Sequence, residues 1–440
     1  MATTAAQAGD IEGAGYWFEQ MPLTRAHWFA GMVIFITFVI EAWEMLILIL
    51  SAGAIGDEFG LDAGEIGMLI SAIFLGMIPG SLIWGKLSTV LGRRNCLVLS
   101  IGLYAIFPVI SALAPSYEFL WWTRFFAGVV LSGALVVSFP LFMELLPVNV
   151  RGRATVLLSA GWPVGTLVAV GVTALFADMG WRIVLGFSAS AALWAMAIYM
   201  FVPESAYWLA ERGRSKDAAD TVSRLAAGAV RPDRIGKTPG LDEEMPFFDI
   251  FRGPIFPITL LSTIVNFCFA WGYWGMTSWL PELLSTRGLS AGEGLSFIAL
   301  SALFMFPGYF AASYFTGRWG RKKVMVIFVA FSTIAGIGFA TSANLTQMYV
   351  WNFTLSFFSL GAWGIWNTWL GEIYDTATRG PGTAWGIMSQ RVANTAAPVA
   401  IGFVLAATGF VQTILFISLF LAITFVAAAF LPETEGRRLG

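Results

Sequence analysis

The chain has 440 residues, of which 58% are hydrophobic and 12% are charged, with a formal net charge of −2. Soluble domains carry about twice that charged share, so the composition excludes an ordinary soluble protein, and the small net charge favours no class of partner. Apolar stretches of about 20 residues, the length of a membrane-spanning helix, recur along the chain. They predict an all-α membrane protein.

Twelve apolar stretches, separated by short polar breaks, each predict one transmembrane helix. Residues 1–27, which precede them, carry acidic residues and lack the apolar core of a cleavable signal peptide. Cys96 and Cys268 fall within predicted spans and offer neither a disulfide framework nor metal-ligand spacing, so we expect no metal and no cofactor. The predicted spans are 28–51, 65–84, 95–114, 118–141, 154–176, 180–202, 256–280, 292–315, 324–342, 346–370, 381–408 and 410–431.

Basic residues are concentrated on one side of the predicted membrane. Of the 25 Lys and Arg residues, 21 fall in the termini and in one alternating set of connections, whereas the opposite set holds Arg182 and Arg287. Cytoplasmic loops carry such an excess. We therefore expect both termini in the cytoplasm, an even number of spans, and a multi-pass protein of the cell (inner) membrane.

Three motifs recur at an offset of 228 or 229 residues, which predicts two six-helix halves in the same orientation, at 28–202 and 256–431. A linker at 203–255 with an amphipathic stretch joins them, and 1–27 and 432–440 form cytoplasmic ends. Parallel halves are one architecture of secondary transporters, with the substrate site between the halves. The recurring pairs are "LGRRNCLVL" (91–99) with "WGRKKVMVI" (319–327), "ELLPVNVRGRA" from Glu144 with "EIYDTATRGPG" from Glu372, and "PESAYWL" from Pro203 with "PETEGRR" from Pro432.

The order of these motifs resembles the major facilitator superfamily from about residue 20 to the end of the chain. "GKLSTVLGRR" (85–94) resembles the signature of its helix 2–3 loop, and "PESAYWLAERGRSKDA" and "PETEGR" resemble segments of its sugar porters. The resemblance implies twelve helices in two bundles related by a pseudo-two-fold axis.

Two further segments resemble the metabolite:proton symporter branch of that family. "EAWEM" (41–45) lies where symporters for aromatic acids and nicotinate carry an Asp-x-x-Asp pair, and "MPLTRAHW" (21–28) resembles the segment before helix 1 in the nicotinate-type members. The resemblance implies proton-coupled transport of a small metabolite.

The loop signature departs from the family pattern at one place. Its acidic residue, which in the family helps to latch the outward-open state, is replaced by Thr89, and the following Arg by Val90; the second copy has Gly317 at the acidic position. We expect either a weaker latch or one that depends on Glu144, Arg151 and Arg94, and Glu144–Arg151 and Glu372–Arg379 are expected as gate or latch pairs. The candidate gating residues are Arg93, Arg94, Glu144, Arg151, Arg318, Arg321, Glu372 and Arg379.

The predicted spans contain four charges away from their ends, and charges there are costly and often functional. Glu41 and Glu44 lie three residues apart, on nearly the same face of the first helix, and Arg124 lies at a similar depth in the fourth. One acid with Arg124 would make a structural ion pair. Two acids leave a surplus carboxylate, and desolvation favours its protonated form, so we favour proton coupling through one or both.

Arg391 lies near the middle of the eleventh predicted span, flanked by Gln390 and Asn394, and the spans of the second half have no acidic residue away from their ends. A substrate carboxylate would supply a bidentate partner. The alternatives are bonding to backbone carbonyls and pairing across the halves with Glu41 or Glu44.

Aromatic residues suggest a planar substrate. Trp271, Tyr273, Trp274 and Trp366 lie deep in their spans or beside glycine, and are candidates for pocket walls. The same rings would also hold a quaternary ammonium by cation–π contact, with a glutamate as counter-ion.

The sequence thus predicts a transporter and no enzyme: a symporter that imports a small aromatic monocarboxylate with protons by alternating access. An organic-cation transporter or drug-like exporter, and a non-transporting solute sensor, stay open as alternatives. The expected partners are the solute, protons and the lipid bilayer, with no nucleic acid, and the protein is expected to be a monomer.

Overall fold

The computed structural model describes residues 12–151, 154, 158–236 and 246–434. Parts of the predicted terminal segments and of the linker therefore lie outside the described residues, as do the basic residues Arg153, Lys237, Arg437 and Arg438. Within the described part there is no β-strand; an isolated bridge joins Gly13 to Gly236.

Twelve long helices follow one another in the described part of the chain. All but α10 are long and apolar enough to cross a membrane; α10 is rich in tryptophan and polar residues. The helices are α1 (Arg25–Phe59), α2 (Ala63–Leu91), α3 (Arg93–Ala112), α4 (Tyr117–Leu145), α5 (Gly161–Phe176), α6 (Trp181–Phe201), α7 (Phe256–Ser285), α8 (Ala291–Trp319), α9 (Arg321–Ala340), α10 (Leu345–Glu372), α11 (Thr376–Thr408) and α12 (Phe410–Phe430).

Several helices extend beyond the apolar stretches that predicted them, because capping residues rather than hydropathy define their ends. Asp62 and Glu65 form a capping box at the start of α2, and Ser290 and Glu293 form one at the start of α8. Each pair satisfies backbone N–H groups that the first helical turn leaves unbonded. The two boxes are again 228 residues apart.

The recurring Pro-Glu motif has a structural role in both halves. Glu204 Oε1 accepts hydrogen bonds from the backbone N–H groups of Arg93 (2.9 Å) and Arg94 (3.0 Å) at the start of α3. Glu433 Oε1 accepts one from the N–H of Arg321 (2.9 Å) at the start of α9. A carboxylate at a helix N-terminus is favoured by the unbonded N–H groups and the helix dipole. The motif therefore ties the end of each half to its helix 2–3 turn.

Glycine is required at that turn. Gly92 has φ +96° and ψ 161°, and a Cβ there would lie 2.2 Å from Glu204 Oε2. Gly320 has φ +91°, and a Cβ would lie 2.4 Å from Glu433 Oε2. Only glycine adopts this backbone region without strain, and the lack of a side chain leaves room for the capping carboxylate.

The helices pack into two groups, α1–α6 and α7–α12, which meet at one interface. α2 packs against α4 and α1 against α5, while α8 and α9 pack against α10 and α7 against α11 and α12. Gly128 of α4 allows this close approach to α2, since a Cβ there would lie 2.0 Å from the Ile73 carbonyl oxygen. Across the interface, α2 meets α11, α5 meets α8, and α1 meets α7.

The interface is tightest where α2 begins and α11 ends, on the side opposite the linker. A Cβ at Gly67 would lie 2.6 Å from the Pro398 carbonyl oxygen, and one at Gly402 would lie 2.5 Å from the Ala63 carbonyl oxygen. Trp279 Nε1 donates to the same Pro398 oxygen (2.8 Å). The first and second six helices are thus in backbone contact on this side.

We expect Gly92→Ala to lower the free energy of unfolding by about 1–3 kcal/mol, because alanine is strained at this φ and meets Glu204. Gly85→Ala is the matched control, since a Cβ at this helical position meets nothing within 4 Å. Thermal unfolding of the purified protein in detergent measures both. Equal midpoints for the two variants would contradict the role assigned to the turn.

Candidate functional site

The two glutamates of α1 are buried but differ in their surroundings. Glu44 is 0% exposed and accepts a hydrogen bond from the Tyr104 hydroxyl at 2.5 Å. Glu41 is 1% exposed, and neither of its carboxylate oxygens has a hydrogen-bond partner in the described structure. Residues three apart on one helix therefore differ: Glu44 has a hydrogen bond to one oxygen, while its Oε1 and both oxygens of Glu41 have none in the described structure.

Arg124 belongs to the surroundings of Glu44. It is 0% exposed and donates from Nε (3.0 Å) and Nη2 (2.6 Å) to Ser111 Oγ. Its charge acts on both Glu44 and Tyr104, although no ion pair within 4.0 Å joins it to either glutamate in the described part of the chain. The helix 1–helix 4 pairing is therefore indirect, with Tyr104 of α3 between acid and base.

Arg391 of α11 reaches across the interface between the two sets of helices. It is 7% exposed, and its Nη1 lies 3.6 Å from Met77 Sδ of α2. Its Nε has no hydrogen-bond partner among the described residues. Glu41 acts on it electrostatically from a different set of helices, but no ion pair within 4.0 Å joins the two in the described part of the chain.

The neighbours of Arg391 are held by an amide cluster. Asn266 Oδ1 of α7 accepts hydrogen bonds from Gln390 Nε2 (2.7 Å) and Trp366 Nε1 (2.9 Å), and Asn266 Nδ2 donates to the Ser262 carbonyl (2.8 Å). With its amide oriented to satisfy both atoms, Asn394 accepts from Trp274 Nε1 at 3.3 Å. Gln390 and Trp366 are therefore engaged in fixing α7, α10 and α11 to one another.

The four aromatic residues proposed as pocket walls do not lie together in the structure. Trp274 packs on Phe74 of α2 (4.6 Å between ring centroids) and on Trp162 of α5 (5.6 Å), and Trp162 Nε1 donates to the Tyr273 hydroxyl at 2.6 Å. Trp271 instead stacks on Phe420 of α12 (4.6 Å), and Trp366 packs on Trp369 (5.7 Å). Tyr273 and Trp274 lie at the interface with α2 and α5, and the other two pack within the second six helices.

A small cavity of about 70 Å³ borders Tyr273 at the same interface. Its walls come from α1, α5, α7, α8, α10 and α12, and most of the lining residues are apolar. Besides Tyr273, the polar lining residues are Thr166, Thr277, Ser301, Asn352, Ser356 and Ser359.

The candidate gate residues make bonds near the linker side, and the expected pairing was wrong. Glu144 lies 3.4 Å from Arg93 rather than pairing with Arg151, and Glu372 lies 3.0 Å from Arg321 rather than pairing with Arg379. The reason is the tight turn after α2 and α8, which brings the first residue of α3 or α9 beside the end of α4 or α10. Both acids therefore bond within their own set of six helices.

The remaining gate candidates contact nearby rings and backbone. Arg151 donates to the Tyr207 hydroxyl (2.8 Å), Arg94 to the Tyr199 carbonyl (2.9 Å), and Arg318 lies over the Tyr314 ring (4.5 Å). Thr89, at the departure from the family signature, accepts from Trp208 Nε1 (2.8 Å) through its carbonyl oxygen. A linker residue thus contacts the loop directly.

Five residues of this region were not singled out by sequence reasoning: Met77, Tyr104, Ser111, Trp162 and Asn266. Each is an ordinary residue of a membrane span, and its role comes from a partner on another helix. Trp162 lies in "GWPVG" (161–165), whose two glycines and proline stand out within an apolar stretch. The sequence around the other four residues has no such distinctive pattern.

A protein-family model described as Major Facilitator Superfamily matches residues 28–365 and 297–439 of the chain. The expected resemblance is thereby confirmed.

Relatives with similar sequences include bacterial transporters. The chain is 29% identical over 427 residues to the niacin transporter NiaP of Acinetobacter baylyi, covering 96% of this chain and 97% of the relative. It is 27% identical over 364 residues to the putative niacin/nicotinamide transporter NiaP of Bacillus subtilis, covering 82% and 84%. The synaptic vesicle 2-related protein of Xenopus laevis is 28% identical over 455 residues, covering 96% and 81%.

Solved structures with the same fold include the xylose transporter XylE from E. coli. Its partially occluded inward open conformation has a TM-score of 0.78 at 16% identity, covering 94% of this chain and all of that one. The proton:xylose symporter XylE bound to 6-bromo-6-deoxy-D-glucose has a TM-score of 0.72 at 18% identity, covering 94% and 98%. These likenesses confirm the all-α fold of two six-helix bundles.

We expect Tyr104→Phe to lower the free energy of unfolding by about 1–3 kcal/mol, because the buried Glu44 would lose its hydrogen-bond donor. Tyr314→Phe is the control, since that ring is 54% exposed. Thermal unfolding in detergent distinguishes them. If both substitutions shift the midpoint equally, the hydrogen bond to Glu44 contributes nothing specific.

Proposed function

The chain belongs to the Major Facilitator Superfamily and is a multi-pass membrane transporter rather than an enzyme, and we propose that it imports a small aromatic monocarboxylate together with protons. The observation that carries the proposal is that the arginine of α11 and the Glu41 carboxylate of α1 are both buried, and that Arg391 Nε and both oxygens of Glu41 have no hydrogen-bond partner in the described structure. These are the groups that a bound anion and a bound proton require.

The orientation of the chain in the membrane is proposed from its charge distribution. The excess of Lys and Arg at the linker side supports a cytoplasmic location for both termini and an inner-membrane protein. Residues 28–202 and 256–431 would form the two bundles, acting in a single chain that works as a monomer. Alternating access then amounts to rocking of one bundle against the other around a site at their interface.

Arg391 is proposed to bind the substrate carboxylate. Its guanidinium is nearly buried, and its Nε has no described hydrogen-bond partner. A buried cation without a bonded anion is costly, and the planar fork of arginine matches a carboxylate in a bidentate arrangement. Binding of an organic anion would remove the cost, which gives the site a preference for negative charge.

The ring of the substrate is proposed to pack near Trp274 and Tyr273. Both contact residues of the first bundle, Phe74 and Trp162, so their surroundings change when the bundles move. Planar aromatic contacts of this type are worth about 0.5–1.5 kcal/mol beyond the buried area. The names of two relatives, which specify niacin, support a pyridine carboxylate as the first compound to test.

Proton coupling is proposed to use the two glutamates of α1. Both are fully buried in an apolar interior, where the charged form is disfavoured. A carboxylate there carries a proton at modest cost and releases it when a bundle movement admits water. Co-transport of one proton with one monoanion carries no net charge across the membrane.

The charge preference is tested by comparing nicotinate with nicotinamide, which differ at the carboxylate. Arg391→Lys keeps the charge but loses the planar fork, and we expect it to weaken nicotinate binding by about 1–3 kcal/mol; Arg391→Ala should weaken it further. Nicotinamide binding should be weak and unchanged in both variants. Calorimetry on the purified protein measures the affinities.

An unchanged nicotinate affinity in both Arg391 variants would remove the arginine from the site. Binding of a quaternary ammonium compound that is lost in Glu41→Gln would then favour the organic-cation alternative, in which the aromatic rings and a glutamate hold the ligand.

The coupling is tested with the double variant Glu41→Gln, Glu44→Gln. We expect it to lose proton-driven accumulation of nicotinate in proteoliposomes while retaining part of the exchange of labelled for unlabelled nicotinate. Exchange needs the anion site and bundle movement but no net proton transfer. A double variant that still concentrates nicotinate when driven by a pH gradient would show that the protons use another route.

A further inference from the structure

We propose that the short N-terminal helix (Ala14–Gln20) controls bundle movement: through Phe18 it positions Arg151, which follows α4, and holds this arginine to the first bundle. Release of Arg151 would then favour closure of the linker side. The inference goes beyond the proposed function, because it concerns the movement of the bundles in the absence of any substrate.

The Arg151 guanidinium is held mostly by residues from outside the twelve long helices. Its Nη2 donates to the Tyr207 hydroxyl (2.8 Å) and its Nε to the Leu146 carbonyl (3.0 Å). The guanidinium carbon lies 5.9 Å from the centre of the Phe18 ring and 5.7 Å from that of the Tyr207 ring, both within the range of cation–π attraction. Phe18 stacks on Tyr207 at 5.4 Å, so the N-terminal helix and the linker hold the arginine together.

The N-terminal segment is itself fixed to the linker. Phe18 is 0% exposed. Thr24 Oγ1 donates to the Leu225 carbonyl (2.5 Å), and the Gly236 N–H donates to the Glu12 carbonyl (2.9 Å). The segment therefore has a defined position, and the ring of Phe18 is a fixed part of the surroundings of the arginine.

The second half of the chain provides an internal comparison. Arg379 is the counterpart of Arg151, and its Nε has no hydrogen-bond partner among the described residues. The 3₁₀ helix before α7 (Phe247–Phe251) packs on α11 instead, with the Phe251 ring 5.0 Å from that of Trp385. The aromatic contact of Arg151 with an N-terminal helix is thus not a consequence of the internal repeat.

The restraint on Arg151 matters because of the side on which it lies. α2 and α11 are in backbone contact on the side opposite the linker, while the Arg93–Glu144 bond at the linker side stays within the first bundle. Closure of the linker side would bring the end of α4 towards the second bundle, where Asp375 at the start of α11 is exposed. An arginine held by Phe18 and Tyr207 is not available to such a carboxylate, so these contacts favour the described state over the closed one.

The test is the distance between spin labels on cysteines introduced at Met143 of α4 and Thr368 of α10, which are both exposed. The full-length protein is measured in lipid nanodiscs without substrate, and the native cysteines are buried. Phe18→Leu keeps an apolar side chain but loses the ring face. It should raise the ratio of short to long distances about two- to fivefold, as expected for the loss of one cation–π contact.

A second variant guards against a packing defect at the buried Phe18. Tyr207→Phe removes only the hydroxyl that accepts from Arg151, and it should shift the ratio in the same direction. Tyr16→Leu is the matched control, since Tyr16 lies on the same helix and is 43% exposed, and it should leave the ratio unchanged. In an Arg151→Gln background, Phe18→Leu should have no further effect, because its effect passes through the arginine.

The contrary results are equally specific. An unchanged ratio in both Phe18→Leu and Tyr207→Phe, or a shift towards longer distances, would overturn the inference. An equal shift in Tyr16→Leu, or a shift by Phe18→Leu that persists with Arg151→Gln, would also overturn it, since the effect would then not pass through Arg151. Because no substrate is present, these outcomes are separate from the nicotinate binding and uptake that test the proposed function.

Discussion

The constraint on which the structure depends is the cost of placing charge in an apolar interior. A buried ionised group costs several kcal/mol unless it is paired and hydrogen-bonded. The protein meets this cost in two ways. Around Glu44 and Arg124 it supplies hydroxyl groups from Tyr104 and Ser111, so part of the cost is met locally, although Glu44 Oε1 and Arg124 Nη1 have no described partner. Glu41 and Arg391 have far fewer bonds, and each depends on what the other bundle, a proton or a ligand brings to it.

The same kinds of helix cap and salt bridge occur once in each of the two bundles. Capping boxes begin α2 and α8, and Glu204 and Glu433 cap the helices that follow the glycine turns. Arg93 with Glu144, and Arg321 with Glu372, join helices of one bundle at the linker side. Because these bonds stay inside a bundle, they are compatible with the proposed movement of each bundle as a unit.

Much of this architecture could be predicted from sequence, since it rests on local patterns. The length of the apolar stretches predicted twelve helices, and the offset of 228 predicted the repetition that the caps and turns of Gly92 and Gly320 now explain. The depth of Glu41, Glu44, Arg124 and Arg391 identified them as unusual. Their pairing could not be predicted, because it depends on which helix faces which: the Tyr104 hydroxyl between acid and base, and the contact between Met77 and Arg391, join residues far apart in the chain. The gate pairs were misassigned for the same reason.

The central claim is that a proton crosses the membrane with each organic anion. It is tested most directly by imposing an inward gradient of nicotinate on proteoliposomes, with no initial pH difference, and following the pH of the lumen with an entrapped dye. The account predicts that the lumen becomes acidic faster than in protein-free vesicles, and that clamping the membrane potential leaves the rate unchanged, because one proton and one monoanion move together. Uptake of labelled nicotinate without acidification beyond that of protein-free vesicles would contradict it.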